Sequence, residues 1–429
     1  MSKSKLTTTA WLVCFLGAIF YAYEYLLRIS PSAMEASLRN HFGLTATGFG
    51  LLSSVYYYAY VPMQLPVGVL MDRFGPRRLL TVACLLCVIG TLLFCQTTDY
   101  HIAIIGRFLV GAGSAFAFVG VLKLATIWLP EDRLAMVAGF TSALGTGGAI
   151  LGDNMLSIVV NHVGWQKTDT YTAIFGIFLL FALWYGIHDH RRDSKSGGTI
   201  NSFKRNLLDL KIIIRNKQIW LNGFYGCLVY LPTTVFAELW GIPYLSHAHA
   251  MTESQAGFAN SLLFFGFMIG APLTGYISDH MKCRKKPMIW GAVGAAIMMM
   301  LILYYPHLTH LSIYVLIFTL GLFYSAQAIV FAVGRELSPN EAAGTAIAVT
   351  NMMVMLGAMV LQPLIGHFLD WSVWLQHSHE HALLKIPMHH ITQYGPEDYR
   401  LAMSIIPIGI IVAAILTFFI RETHAQARD

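Results

Sequence analysis

Within stretches that are otherwise apolar, charged and hydroxyl-bearing residues recur at helical spacing, and these are the side chains that could do chemistry. Tyr21, Glu24, Tyr25 and Arg28 fall at i, i+3, i+4 and i+7, which places a carboxylate, a guanidinium and two phenols on one helical stripe. Glu24 and Arg28 can pair, reducing the cost of both charges, and hydroxyls beside them suit a wet cavity. The same pair also reads as a structural ion pair near a helix end. Tyr56, Tyr60 and Gln64 repeat at i, i+4 and i+8, followed by Pro66. Arg107 stays protonated, so it must face a carboxylate, an anion or water, whereas Lys123, sixteen residues on, can snorkel to an interface. Asp153 and Glu238 are the other buried-acid candidates. Glu238 closes a stripe with Tyr230 and Thr234, and Trp240 and Pro243 beyond it predict a bent helix end. Softer hydrogen-bonding groups follow: Asn222, Tyr225, Asn260, Ser261, Tyr324, Gln327, Asn351 and Gln362. The chemistry this set offers is anion binding and proton exchange. Carboxylates and arginine on one side with amides on the other fit a small zwitterion or short peptide, although amides serve sugars as well.

The elements that must carry these residues cross a membrane. The chain is 56% hydrophobic and 12% charged, about half the charge of a soluble domain, which excludes a water-soluble globule. Twelve apolar runs are expected near 10–30, 45–71, 79–97, 101–125, 134–160, 170–188, 218–243, 253–277, 287–305, 311–334, 342–368 and 400–420. An even number of spans puts both termini on one side. With that side cytoplasmic, 22 of the 28 Lys and Arg lie inside and 6 outside, so both termini are expected to be cytoplasmic. The net charge of +6 is then this bias and calls for no nucleic-acid partner. The first apolar run is too long for a cleavable signal peptide and ends in polar residues.

The chain also repeats itself. Gly68-Val-Leu-Met-Asp72-Arg73-Phe-Gly75-Pro-Arg77-Arg78 returns 207 residues later as Gly275-Tyr-Ile-Ser-Asp279-His-Met-Lys282-Cys-Arg284-Lys285-Lys286. Pro130-Glu131-Asp132 likewise answers Pro339-Asn340-Glu341 at a distance of 209 residues. Two six-helix halves are expected, 1–188 and 218–429, joined by a basic linker at 189–217. Within that linker Phe203 to Ile214 alternates basic and apolar residues, consistent with an interfacial helix or a solvated connector. A long outer loop is expected at 369–399. Its His377, His379 and His381, with His389 and His390, would put imidazoles on one side of an extended segment, although spacing alone fixes no metal and a solvated loop is the plainer reading. Cys84 and Cys87 lie inside an apolar run, so packing explains them better than redox chemistry. No catalytic residue, cofactor or metal site is expected, and no phosphate-binding glycine loop accompanies an ATP-driven pump. Gly139, Gly145, Gly147, Gly148 and Gly152 fall within an apolar run and read as close helix packing.

The pattern from Gly68 to Arg78 resembles the signature loop of the major facilitator superfamily, between helices two and three and, weakened, between eight and nine. The second copy departs by having Lys282 in place of the glycine. Gly106-Arg107-Phe-Leu-Val-Gly111-Ala-Gly113 resembles a second motif of that family, and the tyrosine run with Met63-Gln64-Leu-Pro66 resembles a nutrient-uptake branch. The glycine stretch lacks the proline of drug/proton antiporters, which argues against a drug exporter. The overall pattern is similar to bacterial phagosomal amino-acid transporters and, more distantly, to the lysosomal dipeptide branch. That resemblance implies an all-α, twelve-helix transporter that exposes a central site alternately to each side. It implies an inner-membrane monomer among lipids, moving an amino acid or short peptide by proton symport. Dipeptide uniport, organic-anion or siderophore transport, and a non-transporting nutrient receptor are the alternatives. The implied substrate groups are Tyr21, Tyr25, Arg28, Tyr60, Gln64, Arg107, Tyr230, Asn260, Tyr324, Gln327 and Asn351. Glu24, Glu238 and Asp153 would handle protons, and Asp72, Arg73, Arg77 and Asp279 would gate.

Overall fold

The computed structural model describes residues 3–130, 133–188, 209–305, 307–339, 342–384 and 394–424, with side chains omitted at 3–8, 134–135 and 376–384. Every element in it is helical. Eleven helices are long and apolar enough to cross a membrane by length and composition. Ala46–Met63, whose tyrosines, serines and proline lower its hydropathy, packs among them as a twelfth. The chain is therefore an integral membrane protein in which every spanning backbone group must be bonded within helices.

The first span, Lys3–Ile29, ends in a 3-10 turn at Ser30–Met34 and a short helix at Glu35–Phe42. The second, Ala46–Met63, starts on a Thr45 cap and gives way after Pro62 and Pro66 to Val67–Phe74, so the run expected at 45–71 is built of two helices. The third is Pro76–Gln96, and the fourth joins Tyr100–Ser114 to Ala117–Trp128. The fifth runs from Leu134–Leu151 through a π-helical turn at Gly152–Leu156 to Ser157–Val163, and the sixth is Trp165–Gly186. The seventh, Lys217–Val229, continues through a π-helical stretch at Pro232–Trp240 into Gly241–His249. Where a bent end was expected from Trp240 and Pro243, the helix is interrupted earlier, at Tyr230, and changes pitch from Pro232, which has no N–H to donate. The eighth is Glu253–His280, the ninth Lys285–Tyr304, and the tenth runs from His310–Tyr324 through Ser325–Ala328 to Ile329–Glu336. The eleventh is the 42-residue helix Ala343–Leu384, and the twelfth joins Pro396–Met403 to Ile405–Phe419.

Two expectations need correction. Residues 369–384 are helix rather than outer loop, so the eleventh span projects well past an apolar layer of about 30 Å. The extended His377, His379 and His381 arrangement fails with it, because helical residues two apart lie about 200° around the axis. His389 and His390 lie outside the described residues. Among the described residues no group of three or more His, Cys, Asp or Glu could hold a metal ion. Of the proposed interfacial helix, 209–215 is helical and 203–208 falls outside the described residues.

The halves meet at the end opposite the termini and at mid-depth. There the second span lies along the eleventh, and the fifth along the eighth. At the termini end, Val67–Phe74 packs on the third and fourth spans of its own half. All six cysteines are free, and the buried Cys84 and Cys87 thiols donate to the carbonyls of Gly176 and Val110, in line with packing. The glycine stretch divides. A Cβ on Gly148 would lie 2.1 Å from the Ala22 carbonyl oxygen of the first span, whereas nothing lies within 4 Å of one on Gly147. Gly148→Ala is expected to destabilise the purified protein by about 1–3 kcal/mol and to lower its Tm, while Gly147→Ala stays within about 0.5 kcal/mol. Equal Tm values for the two variants would show that this helix contact is not close-packed.

Candidate functional site

The residues with charge to offer gather at mid-depth between the halves. Because i and i+4 share a helix face, Glu24 and Arg28 meet, and Arg28 Nη2 donates to Glu24 Oε1 at 3.0 Å and Oε2 at 3.3 Å. Arg28 Nε donates to the Tyr56 hydroxyl at 3.0 Å, which in turn donates to Glu24 Oε2 at 2.9 Å. From the other half, the π-helical turn brings Glu238 Oε1 to 3.7 Å from Arg28 Nη1, and the Tyr57 hydroxyl donates to Glu238 Oε2. Arg28 is 2% exposed, Glu238 1% and Glu24 0%. The guanidinium also sits 4.5 Å from the Tyr25 ring centre and 5.0 Å from that of Tyr60, which stacks on Tyr56.

The cluster thus holds one cation and two carboxylates. Glu24 is satisfied within its own helix and by Tyr56. Glu238 is different: its Oε1 lies beyond hydrogen-bond distance of Arg28 and accepts no well-formed hydrogen bond among the described residues, with the Tyr25 hydroxyl the other phenol beside the carboxylate. Sequence periodicity pointed to Tyr25, Tyr60 and the Glu24–Arg28 pair but missed Tyr56 and Tyr57 as direct partners of the charges. The Tyr56-Tyr57-Tyr58-Ala59-Tyr60 run was the available signal.

Of the other expected site residues, Tyr21, Tyr230 and Asn351 border this cluster, beside Arg28, Tyr25 and Tyr60 respectively, and the rest bond elsewhere. Tyr21 packs against Phe118 and beside Tyr25. Arg107 donates to the carbonyls of Leu27 at 2.9 Å and Arg28 at 3.3 Å and so closes the end of the first span, while its Nε makes no hydrogen bond among the described residues. Asp169, which the sequence reading passed over, is the buried carboxylate whose charge acts on it. Gln64 accepts from Asn351 at 3.0 Å across the halves. Tyr230 and Tyr324 pack with Phe267, and the Tyr324 hydroxyl accepts from Thr233. Gln327 is buried in the 3-10 turn. Asn260 and Asp153 bond to each other in a separate contact nearer the distal end. Asn222, Tyr225 and Gln362 are spent on the carbonyls of Val330, Met288 and Thr234.

At the termini end each half closes its own charge cluster. Asp72 pairs with Lys123 at 2.5 Å, Arg77 donates to the Trp184 carbonyl, and Arg73 lies over Phe74. In the second half Arg284 binds Asp279 at 2.5 Å and Glu336 at 2.6 Å. Burial raises the pKa of Glu422, but the N–H groups of Arg284 and Lys285 and the Cys283 thiol outweigh it and hold the carboxyl down to about 2. Gly75 has φ of 80°, and Lys282, which replaces it in the second copy, has φ of 48°. The turn keeps a positive φ even where the glycine is lost.

The profile of the Major Facilitator Superfamily matches residues 11–361 and, in a second match, 234–428. A probable L-galactonate transporter of Escherichia coli (strain K12) is 26% identical over 289 residues, 64% of this chain and 62% of its own length. This chain therefore spans less than two thirds of that relative. A probable galactarate/D-glucarate transporter of Bacillus subtilis (strain 168) is 24% identical over 401 residues, 85% of this chain and 87% of its own. Among solved structures, a bacterial homologue of the human lysosomal transporter Spinster, inward-facing and unoccupied, superposes with a TM-score of 0.78 at 15% identity, covering 96% of this chain and 97% of that one. A D-xylose–proton symporter gives 0.74 at 16% identity, covering 98% and 99%. The expected likeness to amino-acid and dipeptide carriers is corrected to this coarser one, since these curated relatives carry the names of sugar-acid transporters.

Breaking a buried ion pair by removing one partner leaves the other uncompensated. Arg28→Met is expected to cost about 3–5 kcal/mol of stability, with a larger Tm deficit at about pH 8 than at about pH 5.5, where protons can neutralise the abandoned carboxylates. Adding Glu24→Gln and Glu238→Gln to that variant should recover most of the loss. A deficit independent of pH and untouched by the glutamines would mean the guanidinium matters only for packing.

Proposed function

Because this chain belongs to the Major Facilitator Superfamily, we propose that it is a secondary transporter of a small organic-acid anion, a sugar acid by preference, moved together with protons. The observation that carries the reading is the buried Arg28, one cation facing two carboxylates contributed by both halves. The names of the curated relatives support the substrate class. A substrate carboxylate can reach Arg28 only by competing with Glu238, the carboxylate that Glu24 makes redundant for charge balance. A proton on Glu238 removes that competitor, so anion and proton enter the site together. The surrounding phenols of Tyr25, Tyr57 and Tyr60 suit the hydroxyls of a polyol chain. An amino acid or short peptide would also bring a carboxylate to Arg28, but its ammonium group would need an acid that Arg28 does not already hold. A siderophore, uniport or a receptor role has no supporting feature in this cluster.

We read the distal end as the outer face and the bacterial inner membrane as the location, following the basic-residue bias and the bacterial relatives. With the halves joined at the distal end, the described arrangement is then the outward-closed one. One chain supplies both sides of the site, which makes the monomer the transporting unit. Asp72 and Lys123 in one half, and Asp279 and Arg284 in the other, brace the inner turns on which the halves rock, apart from the Arg28 cluster. Asp72→Ala should therefore slow transport severalfold while leaving substrate affinity within about twofold.

Thermal-shift screening of the purified protein against aldonates, aldarates, amino acids and dipeptides tests the substrate class. A sugar acid should raise Tm, more at about pH 6 than at about pH 8, and Arg28→Ala should abolish the shift. Glu238→Gln should keep binding at both pH values but lose acceleration of proteoliposome uptake by an inward proton gradient. A response to dipeptides alone, or proton-driven uptake intact in Glu238→Gln, contradicts the reading.

A further inference from the structure

The fifth span changes pitch at Gly152–Leu156, and that π-helical turn carries Asp153 into contact with the eighth span of the other half. Asn260 Nδ2 donates to Asp153 Oδ2 at 2.8 Å and to the Ala237 carbonyl at 2.9 Å. Asp153 is 1% exposed and Asn260 0%. Gly257 permits the approach, since a Cβ there would lie 2.4 Å from the Asp153 carbonyl oxygen. Asp153 Oδ1 and Asn260 Oδ1 each lack a hydrogen-bond partner among the described residues.

Among the described residues no cation pairs with this carboxylate. In its own span, Leu134–Leu151 carries no charged residue, Ser157 donates to the Asp153 backbone, and His162 is exposed. The 3-10 turn Ser30–Met34 has no titratable side chain, and the first span offers Arg28, already held by Glu24 and Glu238. The eighth span carries Glu253, Asp279 and His280 only near its ends. Glu238 is the one charged side chain acting on Asp153, and it has the same sign.

We propose that Asp153 and Asn260 form a proton-binding latch between the halves, distinct from the Arg28 cluster: with its proton the contact stays shut, and without it the distal end opens. Ionised, the carboxylate would keep one amide donor in a low-dielectric contact, whereas opening gives it water. Protonated, it is neutral, and its O–H is available to a carboxamide oxygen that otherwise lacks a donor. The latch deepens the symport reading and rests on it only for how the cycle uses the proton. The contact itself can be tested without substrate.

Ser32 reports the opening, because it is 2% exposed and donates to the Leu239 carbonyl across the halves at 3.0 Å. Maleimide labelling of purified Ser32→Cys protein, divided by the rate in denaturing detergent at the same pH, cancels the ionisation of the thiol. The parent protein supplies the background. The corrected rate should rise about fivefold or more from about pH 5.5 to about pH 8.5 and stay low and flat once Asp153→Asn is added. A flat profile with Asp153 intact overturns the latch, as does an unchanged rise in the double variant. If Asp153→Asn fails to fold, Ser32→Cys combined with Asp153→Glu decides, since a titratable group there must preserve the rise. Failure of the symport reading would instead show as absent proton-driven uptake with the labelling profile intact.

Discussion

A guanidinium buried in the middle of a membrane protein must be neutralised on the spot, and Arg28 imposes that requirement on everything around it. Moving such a charge from water to the interior costs several kcal/mol even after relaxation. The first span answers with Glu24 one turn away, the second with the Tyr56 and Tyr57 hydroxyls and the Tyr60 ring, and the seventh with Glu238. The last contribution crosses between halves, so the charge balance of the site and the closure of the molecule are one problem. A straight α-helix through Pro232 would not place Glu238 as the π-helical stretch does.

The contacts that hold the distal end shut follow a related logic. Asp370 of the eleventh span accepts from the backbone N–H groups of Ala46 at 3.1 Å and Thr47 at 2.9 Å. It therefore caps the start of the second span from the opposite half, where the helix dipole favours a negative charge. Tyr394 donates to the same carboxylate, and Arg39, paired with Glu35, donates to the Tyr394 hydroxyl. Rocking the halves apart would leave that helix end only its own Thr45 cap and return the Ala46 and Thr47 N–H groups to water. At the termini end the Asp72–Lys123 and Asp279–Arg284–Glu336 clusters each close within their own half.

Much of this could be seen in the residues beforehand, and what could not has definite causes. The twofold repeat announced two six-helix halves, and helical spacing announced the Tyr21, Glu24, Tyr25 and Arg28 stripe. Periodicity is blind to which half a partner comes from, so the meeting of Glu238 with Arg28, and of Asn260 with Asp153, was not legible. Nor were the π-helical turns, which shift the register by a residue just where the two acids sit. Sequence shows that Arg107 needs partners but not that two backbone carbonyls supply them. The histidine segment was misjudged because polar composition suggested a loop where the eleventh helix continues. Sugar-acid chemistry left no separate mark in the residues, since Arg28 would serve any carboxylate.

The central claim is that a substrate anion displaces Glu238 from Arg28 only when that carboxyl takes up a proton. Calorimetric titration of the purified protein with a sugar acid, in two buffers of different ionisation heat, counts the protons taken up per anion bound. Near neutral pH the account predicts an uptake approaching about one proton per anion in the wild type and close to zero in Glu238→Gln. Binding that takes up no proton in the wild type, or the same number in both proteins, would contradict it.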